Sequence, residues 1–353
     1  MTEVPKLLDK LIDLVSKEGG SDLHLSEGRL PIIRVAGSLI PLVNESALTR
    51  SDMEQFISSM VTPENKKIFE ETKEIDFSFS HKDVRFRGNA FYRLNKISTA
   101  LRLIPKRIRT LQELNLPQIL ETFARKQQGF FLCVGPAGQG KSTTLATLIE
   151  LINTERLEHI ITLEDPIEYL FDDKKSIIDQ REVSIDTTDF HKALTHVFRQ
   201  DADVVMIGEM RDPETISVAV TAAETGHLVL STLHTNSASQ TIDRIIDSFP
   251  ADQQGQIRAQ LSSSLAGIFS QRLIPRISGG LIPAYELLIN NNAISNLIRD
   301  KRTHEINSVI ETSAEGGMID LNRSLATLVA KGEITIENAY LYSLNPKVLE
   351  KMI

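Results

Sequence analysis

Apolar positions in the first twenty residues recur at helical spacing. Leu7, Leu8, Leu11, Ile12, Leu14 and Val15 form one stripe, and Gly19-Gly20 follows as a stop signal. Extended segments come next, over Asp22–Leu25 and Ile32–Val35. A second helix is predicted over Arg50–Met60, with Thr49 or Ser51 as its cap. Three strand-like runs then follow, Ile75–Ser80, Val84–Tyr92 and Ile97–Ile104. Short polar turns separate them, which reads as an antiparallel meander inside a small α+β domain.

Beyond Pro105 the texture changes. The stretch from Pro105 to Pro117 carries two prolines and the basic pair Lys106-Arg107, and reads as a linker. After it the pattern alternates between strand and helix. Candidate strands are Gly129–Val134, His159–Leu163, Asp203–Ile207 and Leu228–Leu233, with helices between them. That rhythm predicts a mostly parallel, doubly wound α/β sheet. From about residue 290 only helices are expected, near Ala293–Arg302, Asp320–Lys331 and Ile336–Leu341. The predicted organisation is an N-terminal α+β domain over 1–104, a linker or hinge over 105–117 and an α/β domain over 118–353. Residues 290–353 form a helical subregion of the last.

Composition narrows the classes. The chain has 353 residues, and a prior of roughly 150 residues per domain gives about two domains. At 41% hydrophobic residues it is too apolar for intrinsic disorder. A single cysteine, Cys133, excludes an internal disulfide framework or a cysteine zinc cluster. Met1-Thr-Glu-Val-Pro-Lys lacks the pattern of a signal peptide, and no run reaches the about 18 apolar residues of a membrane span. A cytosolic chain is expected. The net charge of −8 argues against mainly electrostatic nucleic-acid binding.

The sharpest motif is Gly135-Pro136-Ala137-Gly138-Gln139-Gly140-Lys141-Ser142-Thr143, which fits the phosphate-binding pattern G-x-x-x-x-G-K-[ST]. Its glycines let backbone N–H groups wrap a phosphate, and the helix that follows points its positive end at the same place. Lys141 would neutralise the β- and γ-phosphates of ATP, and Ser142 would bind Mg²⁺. Chance produces such a match on the order of once in a hundred chains of this length. The apolar run before the loop and the helix-like run after it lower that further.

Ligands of open α/β sheets sit at the carboxyl ends of strands. Four predicted strands end in polar residues: the phosphate loop, Glu164-Asp165, Gly208-Glu209 and His234-Thr235. Glu209 stands where a carboxylate would polarise an attacking water or hold the magnesium through one. Its alternative is to cap the next helix, but Asp212-Pro213 does that better. Glu164 reads as catalytic or as part of the magnesium shell, or else as turn chemistry before Pro166. His227 and His234 bracket the fourth strand. Seven residues apart, they are roughly 23 Å distant in an extended strand and on opposite faces. His234, at the carboxyl end, is the stronger candidate for sensing nucleotide, and a structural role stays open for both.

Taken together these pieces resemble the secretion ATPases, the motors of type II and type IV secretion and of type IV pili. The resemblance rests on the loop Gly135–Thr144, on Thr162-Leu-Glu-Asp-Pro-Ile-Glu168, on Val205-Met-Ile-Gly-Glu-Met-Arg-Asp212 and on Thr225-Gly-His-Leu-Val-Leu-Ser-Thr-Leu-His-Thr235. The N-terminal Ser21-Asp-Leu-His-Leu-Ser26, Ile33-Arg-Val35 and Arg102-Leu-Ile-Pro105 are also similar, so it covers nearly the whole chain. It implies a PAS-like N-terminal domain, a RecA-like P-loop ATPase domain and a homohexamer with ATP between subunits. It also implies work on an inner-membrane pilus platform protein from the cytoplasmic face.

Two features choose a branch within that resemblance. Assembly ATPases of the superfamily usually carry a four-cysteine zinc module, and this chain has one cysteine. Ala293-Ile-Ser-Asn-Leu-Ile-Arg299 resembles the retraction motif A-I-R-N-L-I-R, with Ser295 where Arg is usual. The resemblance implies a retraction ATPase, with a paralogous retraction ATPase among its partners. An accessory retraction ATPase and an assembly ATPase stay open, and an ordinary amphipathic helix explains the motif equally.

One lysine leaves transition-state charge uncompensated. An arginine from a neighbouring domain could supply 10³–10⁵ in rate, roughly 4–7 kcal/mol. Candidates are Arg85 and Arg87, on one face of Val84–Tyr92, and Arg102, which resembles the family's R-x-I-P arginine. A solvated sheet face is the common alternative. Two rivals for the whole chain are a RecA-like nucleic-acid motor and a non-hydrolysing nucleotide-dependent regulator. The first should show a basic groove or stacking aromatics, and the chain is acidic, 5% aromatic and free of Trp.

Overall fold

The computed structural model describes residues 4–35, 37–82, 84–105 and 107–353. Met1-Thr-Glu of the opening segment and Lys106 of the basic pair lie outside the described residues. The chain forms two compact units, Met1–Arg107 with Pro166–Leu170 and Ile108–Asp165 with Phe171–Ile353.

The first unit is α+β. Helix α1 (Lys6–Lys17) buries Leu8, Leu11, Ile12 and Val15, the predicted stripe. It ends where Gly19 adopts φ +64°, which lets Gly20 N donate back to Val15 O at 2.8 Å. Strands β1 (Asp22–Ser26), β2 (Ile32–Val35) and β3 (Ser38–Pro41) precede α2 (Arg50–Met60) and α3 (Pro63–Thr72). Strands β4 (Glu74–His81), β5 (Val84–Arg93) and β6 (Lys96–Ile104) complete the unit. The antiparallel sheet has the order β3-β2-β1-β6-β5-β4. Thr49 and Asp52 close a reciprocal capping box at α2. Two elements go unpredicted for want of apolar pattern. All four residues of β3 are exposed, and α3 buries only Phe69.

The second unit is the doubly wound sheet. Helix α4 (Glu121–Ala124) leads to β7 (Gly129–Val134), α5 (Lys141–Glu155), β8 (His159–Glu164) and β9 (Ile177–Glu182). Then come α6 (Phe190–Val197), β10 (Val204–Ile207), α7 (Pro213–Glu224), β11 (Leu228–Leu233), α8 (Ala238–Asp247) and α9 (Gln254–Ser264). Strands β12 (Leu265–Pro275) and β13 (Leu281–Ile289) follow. The order β13-β12-β7-β11-β10-β8-β9 is parallel except for the β12–β13 hairpin. Alternate residues of β7 feed opposite cores: Phe130, Leu132 and Val134 on one side, Phe131 and Cys133 on the other.

Three strands go beyond the sequence reading. Strand β9 lies on the sheet edge with Ile177 exposed, so it shows no buried run. The β12 run is broken by Ser270-Gln271-Arg272. Pro283 argues against a strand at β13, and is accommodated because β13 is an edge. Between 105 and 117, Leu111 and Leu116 are buried in the α5 side of this unit's core.

The C-terminal helices α10 (Asn292–Arg299), α11 (Ile306–Thr312), α12 (Leu321–Ala330), α13 (Ile336–Tyr342) and α14 (Pro346–Leu349) match the helical expectation. One bridge, Leu287 to Ile319, departs from it. Ile294 and Ile298 of α10 are buried, and Ser295 Oγ donates to Ser262 O at 2.7 Å. The position where arginine is usual therefore ties α10 to the end of α9.

Candidate active site

The four strands with polar carboxyl ends are consecutive neighbours in the sheet, β7-β11-β10-β8. Parallel pairing brings their ends to one rim. Val134 lies opposite Leu233, and Ile207 lies opposite both Ser231 and Leu163.

The phosphate loop leaves β7 and enters α5 at Lys141. Gly135, Gly138 and Gly140 have φ of +145°, +74° and +80°. A Cβ on Gly135 would lie 2.4 Å from Gln271 O, so the loop lies tight against β12 where only glycine fits. Lys141 is 7% exposed, and its ammonium donates to Gly135 O and Pro136 O, each at 2.9 Å. A buried cation, three left-handed glycines and the first turn of a 15-residue helix fit a nucleotide polyphosphate.

His234 joins the loop to Glu209. Its Nδ1 lies 3.4 Å from Lys141 Nζ and its Nε2 lies 3.8 Å from Glu209 Oε2. Lysine can only donate, so we assign Nδ1 as the acceptor and place the proton on Nε2, facing the carboxylate. Burial and the Lys141 charge push His234 below the usual histidine range, which keeps the ring neutral. Glu209 also accepts from Arg211 Nη2. A cleft of about 420 Å³ opens here, lined by Glu209, Arg211, His234, Asn236, Gln240 and Arg244. Asp212 caps α7 by accepting from Thr215 N at 2.7 Å, which leaves Glu209 out of the capping role.

Glu164 ends β8 and is 6% exposed. Its Oε1 accepts from Thr162 Oγ1 at 2.7 Å and from Gln180 Nε2 at 3.3 Å. His227 sits at the other end of β11. Its Nδ1 faces Ala222 O at 3.1 Å and its ring meets Phe198 edge-on at 5.4 Å. The structure thus brings His234, and not His227, to Lys141 and Glu209.

The arginines belong to the first unit. Arg87 pairs with Arg102 across β5 and β6, and Arg102 pairs with Asp22 across β6 and β1. Arg102 Nε donates to Asp22 Oδ1 at 2.9 Å, and Arg34 Nε lies 3.6 Å from Asp22 Oδ2. Arg102 and Arg87 are exposed, whereas Arg85 is half-buried opposite Ile104.

Sequence reasoning passes over Gln271, Asn236 and Gln180. Their only signal is a polar residue inside an apolar strand or just beyond a motif.

Fold and site define a P-loop ATPase of the RecA-like class. The chain belongs to the type II/IV secretion system protein family, whose pattern matches residues 1–280. It is 43% identical over 333 residues to PilT of Pseudomonas aeruginosa, a type IV pilus retraction ATPase, covering 94% of this chain and 96% of that protein. It is 40% identical over 347 residues to the type IV pilus ATPase PilU of the same organism, covering 98% of this chain and 91% of that protein. A crystal structure of the pilus retraction motor PilT with bound ADP superposes with a TM-score of 0.92 at 44% identity. That match covers 99% of this chain and 100% of that one.

Proposed function

We propose that this chain is a hexameric ATP-hydrolysing motor that powers type IV pilus retraction. The observation that carries the reading is the 43% identity to PilT across nearly the full length of both proteins. The Lys141–His234–Glu209 cluster supplies the chemistry.

Lys141 leaves the carbonyls of Gly135 and Pro136 for the β- and γ-phosphate oxygens, while the loop N–H groups of residues 137–143 hold the rest. Ser142 and Glu164 would hold Mg²⁺, which when bound would offset phosphate charge. Glu209 orients the attacking water and accepts its proton. His234, neutral and bonded toward Lys141, registers whether that lysine is engaged by phosphate. Arg102, Arg87 and Arg85 are the arginines offered to a neighbouring subunit's nucleotide, where a finger is worth about 10³–10⁵ in rate. The hinge lies at the start of the 105–117 stretch, ahead of the buried Leu111. Repeated closure and opening there drive an inner-membrane platform protein that withdraws pilin from the fibre base. The motor works peripherally at the cytoplasmic face. Among the described residues no helix is long and apolar enough to cross a membrane. Nucleic acid is not its partner, in keeping with the acidic chain.

A second reading, an accessory retraction ATPase, is favoured by the 40% identity to PilU. Deleting the gene tests both. Abundant pili that no longer retract fit the main retraction motor. Retraction that persists but weakens under load fits the accessory role, and bald cells contradict both.

A further inference from the structure

Strand β12 lies next to the phosphate loop's own strand, β7, and its central tripeptide Ser270-Gln271-Arg272 is polar within an otherwise apolar run. Successive strand residues face opposite sides of the sheet. On one face Gln271, 3% exposed, donates through Nε2 to Gln139 O at 2.8 Å. It accepts from Thr144 Oγ1 through Oε1 at 2.7 Å. The Gln139 carbonyl can only accept, so it fixes which end of the amide points at the loop. The clasp is reciprocal, because Leu273 N donates to Gln139 Oε1 at 2.7 Å.

On the other face, Ser270 Oγ donates to Asn236 O at 3.0 Å, and Arg272 Nη2 donates to Asn236 Oδ1 at 2.8 Å. Arg272 is itself 7% exposed. Asn236 is two residues beyond His234. The next strand adds a third tether, Glu286 Oε1 accepting from Ala238 N at 2.6 Å. Lys141 follows one of these loops and His234 stands in the other. The strand between them is held on both sides, parallel to β7 and antiparallel to β13.

We infer that Gln271 and Arg272 are positioning residues, one setting the shape of the phosphate loop and the other the place of His234. Neither touches the reacting atoms. Their effects should separate, because one loop binds the polyphosphate while the other carries a side chain of the catalytic cluster. A misplacement of about 1 Å in such a cluster can cost about a hundredfold in rate. The inference rests on the ATPase reading of the site and is independent of the pilus.

The test uses purified full-length Gln271→Met and Arg272→Met. Three quantities are read: the Kd for a fluorescent ADP analogue, the split between KM and kcat, and the thermal midpoint. Gln271→Met removes two side-chain hydrogen bonds and should raise Kd and KM roughly two- to tenfold, and leave kcat within about twofold. Arg272→Met should lower kcat about tenfold or more and leave the ADP Kd within about twofold. Should the strand variants fail to fold, Thr144→Val removes the bond to Gln271 Oε1 and Asn236→Ala removes the bond to Arg272 Nη2, with the same two signatures expected. Unchanged Kd, KM and kcat per folded molecule, with only a lower midpoint, overturns the inference. So does an equal effect of both variants on Kd.

Discussion

Nδ1 of His234 lies 3.4 Å from the Lys141 ammonium, and the same ring turns its Nε2 toward Glu209. Burial and the neighbouring lysine charge both disfavour a second cation there and push His234 below the usual histidine range. The ring thus stands between the cation of the phosphate loop and the carboxylate of Glu209.

His234 should titrate below 6.5 by histidine-resolved NMR in the nucleotide-free protein. In Lys141→Gln it should move up, because the neighbouring charge is gone. The sign for stability follows. A depressed folded-state pKa gives a contribution that is complete above the unfolded value and lost as pH falls through the folded one. A pKa above 6.5, or one indifferent to Lys141, contradicts the arrangement.

Arg102→Ala separates scaffold from catalysis. Its bond to Asp22 is largely solvent-exposed, with the Arg102 side chain 69% accessible. Such pairs contribute about 0–1 kcal/mol, so the thermal midpoint should barely move. If Arg102 is a finger, kcat should fall about 10³-fold or more. A fall in midpoint with normal turnover per folded molecule would assign it to the sheet alone.

Glu286 is buried beside β12, and burial pushes its carboxyl up to about 7. A raised folded-state pKa means the contribution is complete below the unfolded value near 4.5 and is lost as pH rises through about 7. Glu286→Gln keeps an acceptor for Ala238 N and removes the ionisation. It should be more stable than the parent at pH 8, by up to about 3 kcal/mol, with the advantage gone near pH 4.5. Urea unfolding at the two pH values measures it.

Cys133 is fully buried in β7, and burial pushes its thiol up to about 12. It should resist a disulfide-exchange reagent in the native protein and react fully in denaturant.

Much of this was legible in the sequence because it is local. The strand–loop–helix around Lys141, the capping of α2 by Thr49 and the stripe of α1 each follow from residues within one or two turns. The grouping of Glu164, Glu209 and His234 follows from a rule about strand ends, and the sheet sets β8, β10 and β11 side by side. What stayed hidden depends on distant partners. Gln271 is read by Gln139 and Thr144, more than 120 positions away, and Arg102 is engaged by Asp22, 80 positions away. His227 and His234 look alike as sequence, and only the sheet shows that they occupy opposite ends of β11. Strands β9 and β13, on the edges, and the exposed β3 lack a clean apolar period or carry a proline.

The most direct test follows labelled pili in living cells whose only copy carries Glu209→Gln. Binding of a fluorescent ADP analogue by the purified variant is measured in parallel. The account predicts pili that extend and stay extended, with nucleotide binding kept and ATP turnover lost. Retraction at the parental rate, or ATP turnover that survives the substitution, would contradict it.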